Sequence, residues 1–66
     1  MTNREKFEIE ATCIAETDAA IKVRTEHGED WVPKSHVDDD SEVYSLDDEG
    51  TLVVTQWIAE QKGWIR

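Results

Sequence analysis

One stretch of this 66-residue chain is crowded with carboxylates: residues 38–50, with the sequence DDDSEVYSLDDEG. Seven of the twelve residues before its glycine are Asp or Glu, and none is Lys or Arg. Carboxylates at this density can hold a divalent cation, transfer protons in catalysis, or present negative charge to a basic partner. The spacing of these residues and the rest of the chain discriminate between the three chemistries.

The spacing excludes a standard calcium-binding loop. An EF-hand loop requires Gly at its sixth position and Glu at its twelfth. Counted from Asp38, the sixth residue is Val43, and counted from Asp47 it is Leu52. A calcium or magnesium site of another geometry is a minor alternative, and we expect no metal.

Zinc binding and nucleophilic catalysis are not indicated either. The three residues of the zinc-ligand type, Cys13, His27 and His36, show no CxxC or HxxxH spacing. Ser35 and His36 are adjacent in sequence, which does not bring a hydroxyl and an imidazole into hydrogen-bond geometry. The chain also lacks a glycine-rich phosphate loop. We therefore expect a non-enzymatic protein without a cofactor.

The charge balance favours a basic protein partner. Sixteen acidic residues against seven basic ones give a net charge of −9. This charge repels the phosphate backbone of nucleic acids and an anionic membrane surface, so direct binding to either is disfavoured. The same field accelerates encounters with a basic protein surface. The alternative is a solvated acidic surface that only keeps molecules apart.

Length and cysteine content indicate a single small domain, residues 1–66. The one cysteine, Cys13, allows no internal disulfide, which fits a reducing compartment. The N-terminal sequence MTNREKFEIE is charged and has no apolar core, so we expect no secretory signal and a cytoplasmic location.

Hydrophobic alternation predicts a mostly β fold of the α+β class, either a small antiparallel sheet or an SH3-like barrel. A helix is expected to follow the last strand, with Thr55 as its N-cap and Gly63 at its end. Residues 34–37 should form a single 3₁₀ turn, and residues 47–50 a hairpin loop. The last strand, rich in β-branched residues, should be the central one. The predicted strands are residues 7–15, 21–26, 31–32, 42–46 and 51–54, and the predicted C-terminal helix is residues 56–62.

The predicted strands arrange the carboxylates into an extended acidic face. Two acidic groups flank the predicted strand 42–46, which places them roughly 15–20 Å apart. Since B-DNA carries one charge per ~1.7 Å of its axis, such a face can imitate part of a phosphate array. A turn centred on Thr17 would also place Glu10 opposite Arg24, and Glu26 could extend the face. The candidate partner-binding residues are Asp38, Asp39, Asp40, Glu42, Asp47, Asp48, Glu49, Glu29, Asp30, Glu8 and Glu10.

Aromatic residues offer a second kind of interface. Trp31 opens the string WVPKS, in which we expect Trp31 to fill the core and Pro33 to end the strand. The alternative is that Trp31 is an exposed anchor. In that case Trp31, Tyr44 and Trp57 would form an apolar patch on a small protein-interaction module.

The strings WVPKS, GTLVV and WIAE resemble small proteins of phage and prophage origin. Those proteins carry a W-[I/V]-P-K-S turn after a hydrophobic strand and a later G-T-L strand that continues into a short helix. The resemblance covers residues 19–65. Size and acidity also make the chain similar to anti-CRISPR proteins as a class. That likeness implies a monomeric inhibitor in the cytoplasm of a bacterial host, which imitates DNA and blocks the DNA-binding surface of a CRISPR effector complex.

Overall fold

The computed structural model describes residues 5–65, which form one antiparallel sheet and a short C-terminal helix. The strand order in the sheet is β3-β2-β1-β4. The fold class expected from the sequence is confirmed, with four strands in place of about five. No helix among residues 5–65 is long and apolar enough to span a membrane. The elements are β1 (Lys6–Glu16), β2 (Ala20–Thr25), β3 (Gly28–Pro33), a 3₁₀ helix (Lys34–His36), β4 (Glu49–Thr55) and α1 (Gln56–Gln61).

β1 is the strand on which the sheet is built, because it pairs with β4 through its first half and with β2 through its second half. A β-bulge at Ile14 separates the pairs that Cys13 and Ala15 make with β2. Because Ile14 interrupts the apolar alternation, the sequence predicts that it lies at an edge or packs under a loop; the bulge is a different irregularity at the same residue. The predicted pairing of Glu10 with Arg24 is wrong. Arg24 lies opposite Thr12, because the β1–β2 turn is centred further along the chain and the bulge shifts the register.

The predicted strand over residues 42–46 is absent. Residues 38–48 instead form an irregular segment, part of which lies along the outer edge of β4. The backbone N–H groups of Asp38 and Glu42 donate to the carbonyls of Val53 and Thr51 at 2.8 and 2.9 Å. The Ser41 hydroxyl accepts from the Val53 N–H at 3.1 Å. The Glu42 carboxylate accepts from the Thr51 N–H at 2.8 Å. The edge of β4 is thus satisfied without a fifth strand.

The hairpin predicted at residues 47–50 is wrong for a related reason. The Asp47 N–H donates to the Cys13 carbonyl at 3.0 Å, and the Cys13 N–H donates to the Asp48 carbonyl at 2.8 Å. These residues therefore pair with β1 and lead directly into β4. As a result β4 lies at one end of the strand order instead of at its centre, although Leu52 and Val54 are fully buried.

The core lies between the inner face of the sheet and α1. Alternating residues of the strands point into it, as the sequence pattern predicts. Trp64 closes one end, with its ring 6.3 Å from that of Phe7. The largest fully buried aliphatic residues are Ile21, Val23, Val32, Val43, Leu52 and Val54.

The two short helices follow the predicted signals. The 3₁₀ helix connects β3 to a bridge between Val37 and Val54, so the chain crosses from one end of the sheet to the other. The Thr55 hydroxyl accepts from the Ile58 N–H at 3.3 Å, which confirms it as the N-cap of α1. Gly63 follows the helix with φ +79°, as expected of a residue that ends one.

Candidate acidic interface

Ion pairs divide the acidic residues into two groups. Among residues 5–65 every Lys and Arg has an acidic partner within 4 Å. Four of the predicted partner-binding residues, Asp38, Asp40, Glu29 and Asp30, belong to these pairs. Asp18, Glu26 and Glu60 have no Lys or Arg partner among residues 5–65, and the remaining predicted residues, which lack one too, carry the rest of the uncompensated charge there. These remaining predicted residues are Asp39, Glu42, Asp47, Asp48, Glu49, Glu8 and Glu10.

The outward face of the sheet gathers four carboxylates, Glu8, Glu10, Glu26 and Glu49, which we call the sheet-face acidic surface. Glu10, Glu26 and Glu49 line a shallow depression of about 410 Å³. Glu8, Glu10 and Glu26 also line a second depression of about 330 Å³, to which the apolar residues Phe7, Ile9 and Trp64 contribute. Since Glu10 and Glu26 belong to both, the two depressions form one continuous acidic surface.

Strand register explains how these carboxylates come together. Glu8 and Glu10 are alternate residues of β1 and point away from the core. Glu49 starts β4 opposite Thr12, and Glu26 lies in the β2–β3 turn. The Glu10 carboxylate accepts from the Thr51 hydroxyl at 3.1 Å. Glu8 and Glu49 make no hydrogen bond or ion pair through their side chains with residues 5–65.

His27, which lies 3.7 Å from the Glu26 carboxylate, lines the second depression, and Arg24 is the one Lys or Arg that lines either of the two. Its guanidinium lies 3.4 Å from the Glu29 carboxylate, and Lys22 lies 3.6 Å from the same residue. Glu29 therefore has two cations beside it and contributes little free negative charge. The sheet-face acidic surface keeps its own charge, because its nearest cation already has an acidic partner.

Two of the predicted binding residues hold the irregular segment of the chain in place. Glu42 accepts from the edge of β4, as described above. The Asp48 carboxylate accepts from the backbone N–H groups of Tyr44 and Ser45 at 3.1 and 2.9 Å, which closes the loop before β4. Their side-chain oxygens substitute for backbone acceptors, so both residues have a structural role.

Asp38 has a structural role too, and its pKa reflects it. The Asp40 N–H donates to its carboxylate at 2.9 Å, and the Lys6 ammonium lies 3.2 Å away. Both contacts favour the ionised form, and together they lower the pKa of Asp38 below its ordinary value. Asp39 and Asp40 are exposed beside it. Only Asp39 in this group has no side-chain partner among residues 5–65.

The two acidic groups of residues 38–50 lie at opposite ends of the sheet. Asp38 bonds to Val53, which lies opposite Glu8, whereas Asp48 bonds to Cys13. Glu8 and Cys13 are five residues apart along β1, which corresponds to about 17 Å between the two attachment points. This separation falls in the expected range, although it is set by β1 and not by the absent strand 42–46.

Asp30 belongs to the edge of the sheet. Its carboxylate accepts from the Trp31 N–H at 2.9 Å and lies 3.1 Å from the ammonium of Lys62, the residue that follows α1. The Trp31 side chain is 42% exposed, so the expectation that it fills the core is wrong. The neighbouring Val32 takes the inward position, and successive strand residues point to opposite faces.

The three aromatic residues considered as an apolar patch do not contact one another. Tyr44 lies beneath the Lys34 ammonium at 5.5 Å, and Trp57 stacks on the imidazole of His36. No ring contact within residues 5–65 joins any two of Trp31, Tyr44 and Trp57. The alternative of one apolar patch built from these three rings therefore has no ring contact to support it.

Glu16 is a charged residue whose role the sequence did not reveal. Its carboxylate lies 2.6 Å from the Lys34 ammonium and accepts from the Leu46 N–H at 3.1 Å. The contact with Lys34, followed by that with Leu46, lowers the pKa of Glu16 below its ordinary value. The same contact raises the pKa of Lys34. In sequence Glu16 appeared only as the start of a turn, because both partners are distant along the chain.

Within residues 5–65, no group of three or more His, Cys, Asp or Glu side chains is arranged to hold a metal ion. Searches among protein-family models, curated proteins and solved structures find no match for this chain. The fold and the surface define a small antiparallel β protein with a strongly acidic sheet face.

Proposed function

We propose that this protein is a non-enzymatic inhibitor that binds the basic, nucleic-acid-facing surface of another protein. In this proposal the sheet-face acidic surface imitates the phosphates of DNA, and Asp39 adds charge at the end of the sheet nearest Glu8. A CRISPR effector complex in the cytoplasm of a bacterial host is the target that the sequence resemblance implies. The observation that carries the proposal is the gathering of Glu8, Glu10, Glu26 and Glu49 on one face without a free cation.

The spacing of these carboxylates is compatible with a partner surface that binds DNA phosphates. Alternate residues of a strand are about 6.6 Å apart. The phosphates of one DNA strand recur every ~3.4 Å of helix axis and follow a helical path around it, so carboxylates at this spacing fall on the length scale of a phosphate array. A groove lined with Lys and Arg that accepts a DNA strand therefore meets charges of the right sign at a compatible interval.

The free charge also explains why a basic protein would be preferred over a metal or a small molecule. The carboxylates of the two depressions are spread over two strands and a turn instead of converging on one point. Exposed charges of this kind attract an extended surface of opposite sign, and they do so less strongly as salt increases.

The test compares binding by charge-neutralised variants. The immobilised protein is incubated with bacterial lysate, eluted with rising salt, and the eluted proteins are identified by mass spectrometry. We expect a nucleic-acid-binding protein that elutes at moderate salt and is lost with the Glu8→Gln/Glu10→Gln variant. The Asp18→Asn/Asp47→Asn variant is the matched control, because it removes the same charge near the other end of β1.

Two results would contradict the proposal. If both double variants lost binding equally, net charge alone would be responsible and the sheet face would have no special role. If a captured partner resisted high salt and depended on Trp31 or Trp57, the protein would be an interaction module with aromatic anchors. The exposure of Trp57, at 56% of its surface, is the observation that favours this second function.

A further inference from the structure

A groove at one end of the sheet carries an exposed tryptophan beside a carboxylate. It has a volume of about 620 Å³ and shares no lining residue with the depressions of the sheet-face acidic surface. The groove is lined by Trp57 and Glu60 of α1, by His36 of the 3₁₀ helix, and by Asp38, two positions after His36. The groove therefore combines an aromatic ring with carboxylates.

The indole of Trp57 stacks on a neighbouring side chain. One face stacks on the imidazole of His36, with ring centroids 5.4 Å apart and planes inclined by 28°. Nδ1 of His36 lies 3.2 Å from the hydroxyl of Thr55, the N-cap of α1. Since one face is stacked and the side chain is 56% exposed, the second face of the indole is open to a ligand.

The charge of the groove favours a cation on that open face. Lys6 is the one Lys or Arg in the lining, and it lies 3.2 Å from Asp38 and 3.7 Å from Asp40. Glu60 makes no hydrogen bond or ion pair through its side chain with residues 5–65. It follows Trp57 by three positions, so the two side chains are neighbours on the surface of α1.

We propose that this groove receives an arginine side chain of the basic protein partner. The guanidinium stacks on the open face of Trp57 and donates hydrogen bonds to the Glu60 carboxylate. Arginine fits better than lysine, because its planar group stacks on an aromatic ring and binds a carboxylate through two parallel hydrogen bonds. This inference rests on the proposed function and adds an anchor to it, since Trp and Arg are enriched among the residues that dominate interfaces.

The experiment is an NMR titration of the ¹⁵N-labelled protein with the capped peptide acetyl-Arg-Arg-Arg-amide. Acetyl-Lys-Lys-Lys-amide, which carries the same charge, is the control peptide. We expect the indole N–H of Trp57 to shift saturably, with tighter binding of the arginine peptide. Glu60→Gln should weaken that binding about two- to fivefold, whereas Asp18→Asn, with the same change in charge, should leave it unchanged.

The outcomes separate this inference from the proposed function. Shifts confined to Glu8, Glu10 and Glu26 would overturn the groove and leave the acidic sheet face standing. Equal binding of the two peptides at Trp57 would overturn the arginine assignment. Saturable shifts at Trp57 with none on the sheet face would support the groove. They would contradict the proposal that the sheet-face acidic surface binds the partner. Absence of saturable shifts at both places would overturn both.

Discussion

Neutralising Glu10 should stabilise the protein, because this carboxylate lies among three others. Glu8 is two positions away on the same face of β1, and Glu26 and Glu49 line the same depressions. The variant Glu10→Gln removes the charge and keeps an oxygen that can accept from the Thr51 hydroxyl.

The magnitude follows from Coulomb's law. Two unit charges about 7 Å apart in water repel by roughly 0.6 kcal/mol, and salt at ~0.1 M halves this. Three neighbours then contribute about 0.9 kcal/mol, part of which the unfolded chain retains between Glu8 and Glu10. For a domain of this size we expect the melting temperature to rise by about 3–6 °C.

Thermal unfolding followed by circular dichroism in 0.1 M and 0.5 M NaCl is the assay. The gain from Glu10→Gln should shrink to less than half at the higher salt, because the Debye length falls to about 4 Å. Glu29→Gln is the matched control: Glu29 lies beside Lys22 and Arg24, so its loss should not stabilise the protein. A lower melting temperature for Glu10→Gln, or a gain that does not change with salt, would refute the reasoning.

Two further predictions concern the residues that shape the irregular segment. The lowered pKa of Glu16 means that its charge stabilises the fold above the ordinary Glu pKa of about 4.3 and that this contribution disappears as the pH falls through the folded value. The raised pKa of Lys34 means that the stabilisation of the fold by its charge is fully present below the ordinary Lys pKa of about 10.4. This stabilisation disappears as the pH rises through the pKa of Lys34 in the folded state. Glu16→Gln should therefore be less stable in urea at pH 7 and equal to the wild type near pH 2; an equal deficit at both pH values would contradict this. Gly50→Ala should cost about 1–3 kcal/mol, because φ is +140° and the new Cβ would lie 2.5 Å from Glu42 Oε1. Gly28→Ala, where φ is +108° and no atom lies within 4 Å, is the control, and an equal loss in urea denaturation would show that the clash contributes nothing.

The regular strands were predictable because their burial follows a local pattern. Ile9, Ala11 and Cys13 alternate with polar residues, and the structure buries all three. The interruption at Ile14 was visible as a break in the same alternation. The N-cap at Thr55 and the stop at Gly63 also depend on neighbouring residues alone, so the helix could be placed within one residue at its C-terminal end.

The irregular segment could not be predicted in the same way. Residues 42–46 alternate like a strand, and the competing interactions come from distant parts of the chain. Ser41 and Glu42 satisfy the edge of β4, and Asp48 closes the loop on Tyr44 and Ser45. A carboxylate that accepts backbone N–H groups has the same sequence signature as one that is free in solvent. The sequence therefore located the acidic residues but not the difference between structural and available ones.

The position of Trp31 was predictable from information already in the sequence. Its neighbour Val32 competes for the inward position, and only one of two successive strand residues can occupy it. The pairing of Lys22 with Trp31 places both on the outward face. Burial was expected because the tryptophan side chain is large. The register of β3 instead places Trp31 on the outward face and Val32 in the core.

The central claim is that the protein occupies a site that would otherwise hold DNA, and competition tests it most directly. A partner captured on the immobilised protein is challenged at constant salt with duplex DNA, and in parallel with polyglutamate at the same concentration of charge. The proposed function predicts that duplex DNA releases the partner at a concentration well below that of polyglutamate. If the partner instead remained on the immobilised protein and bound the added DNA at the same time, the two sites would be separate and the claim would be contradicted.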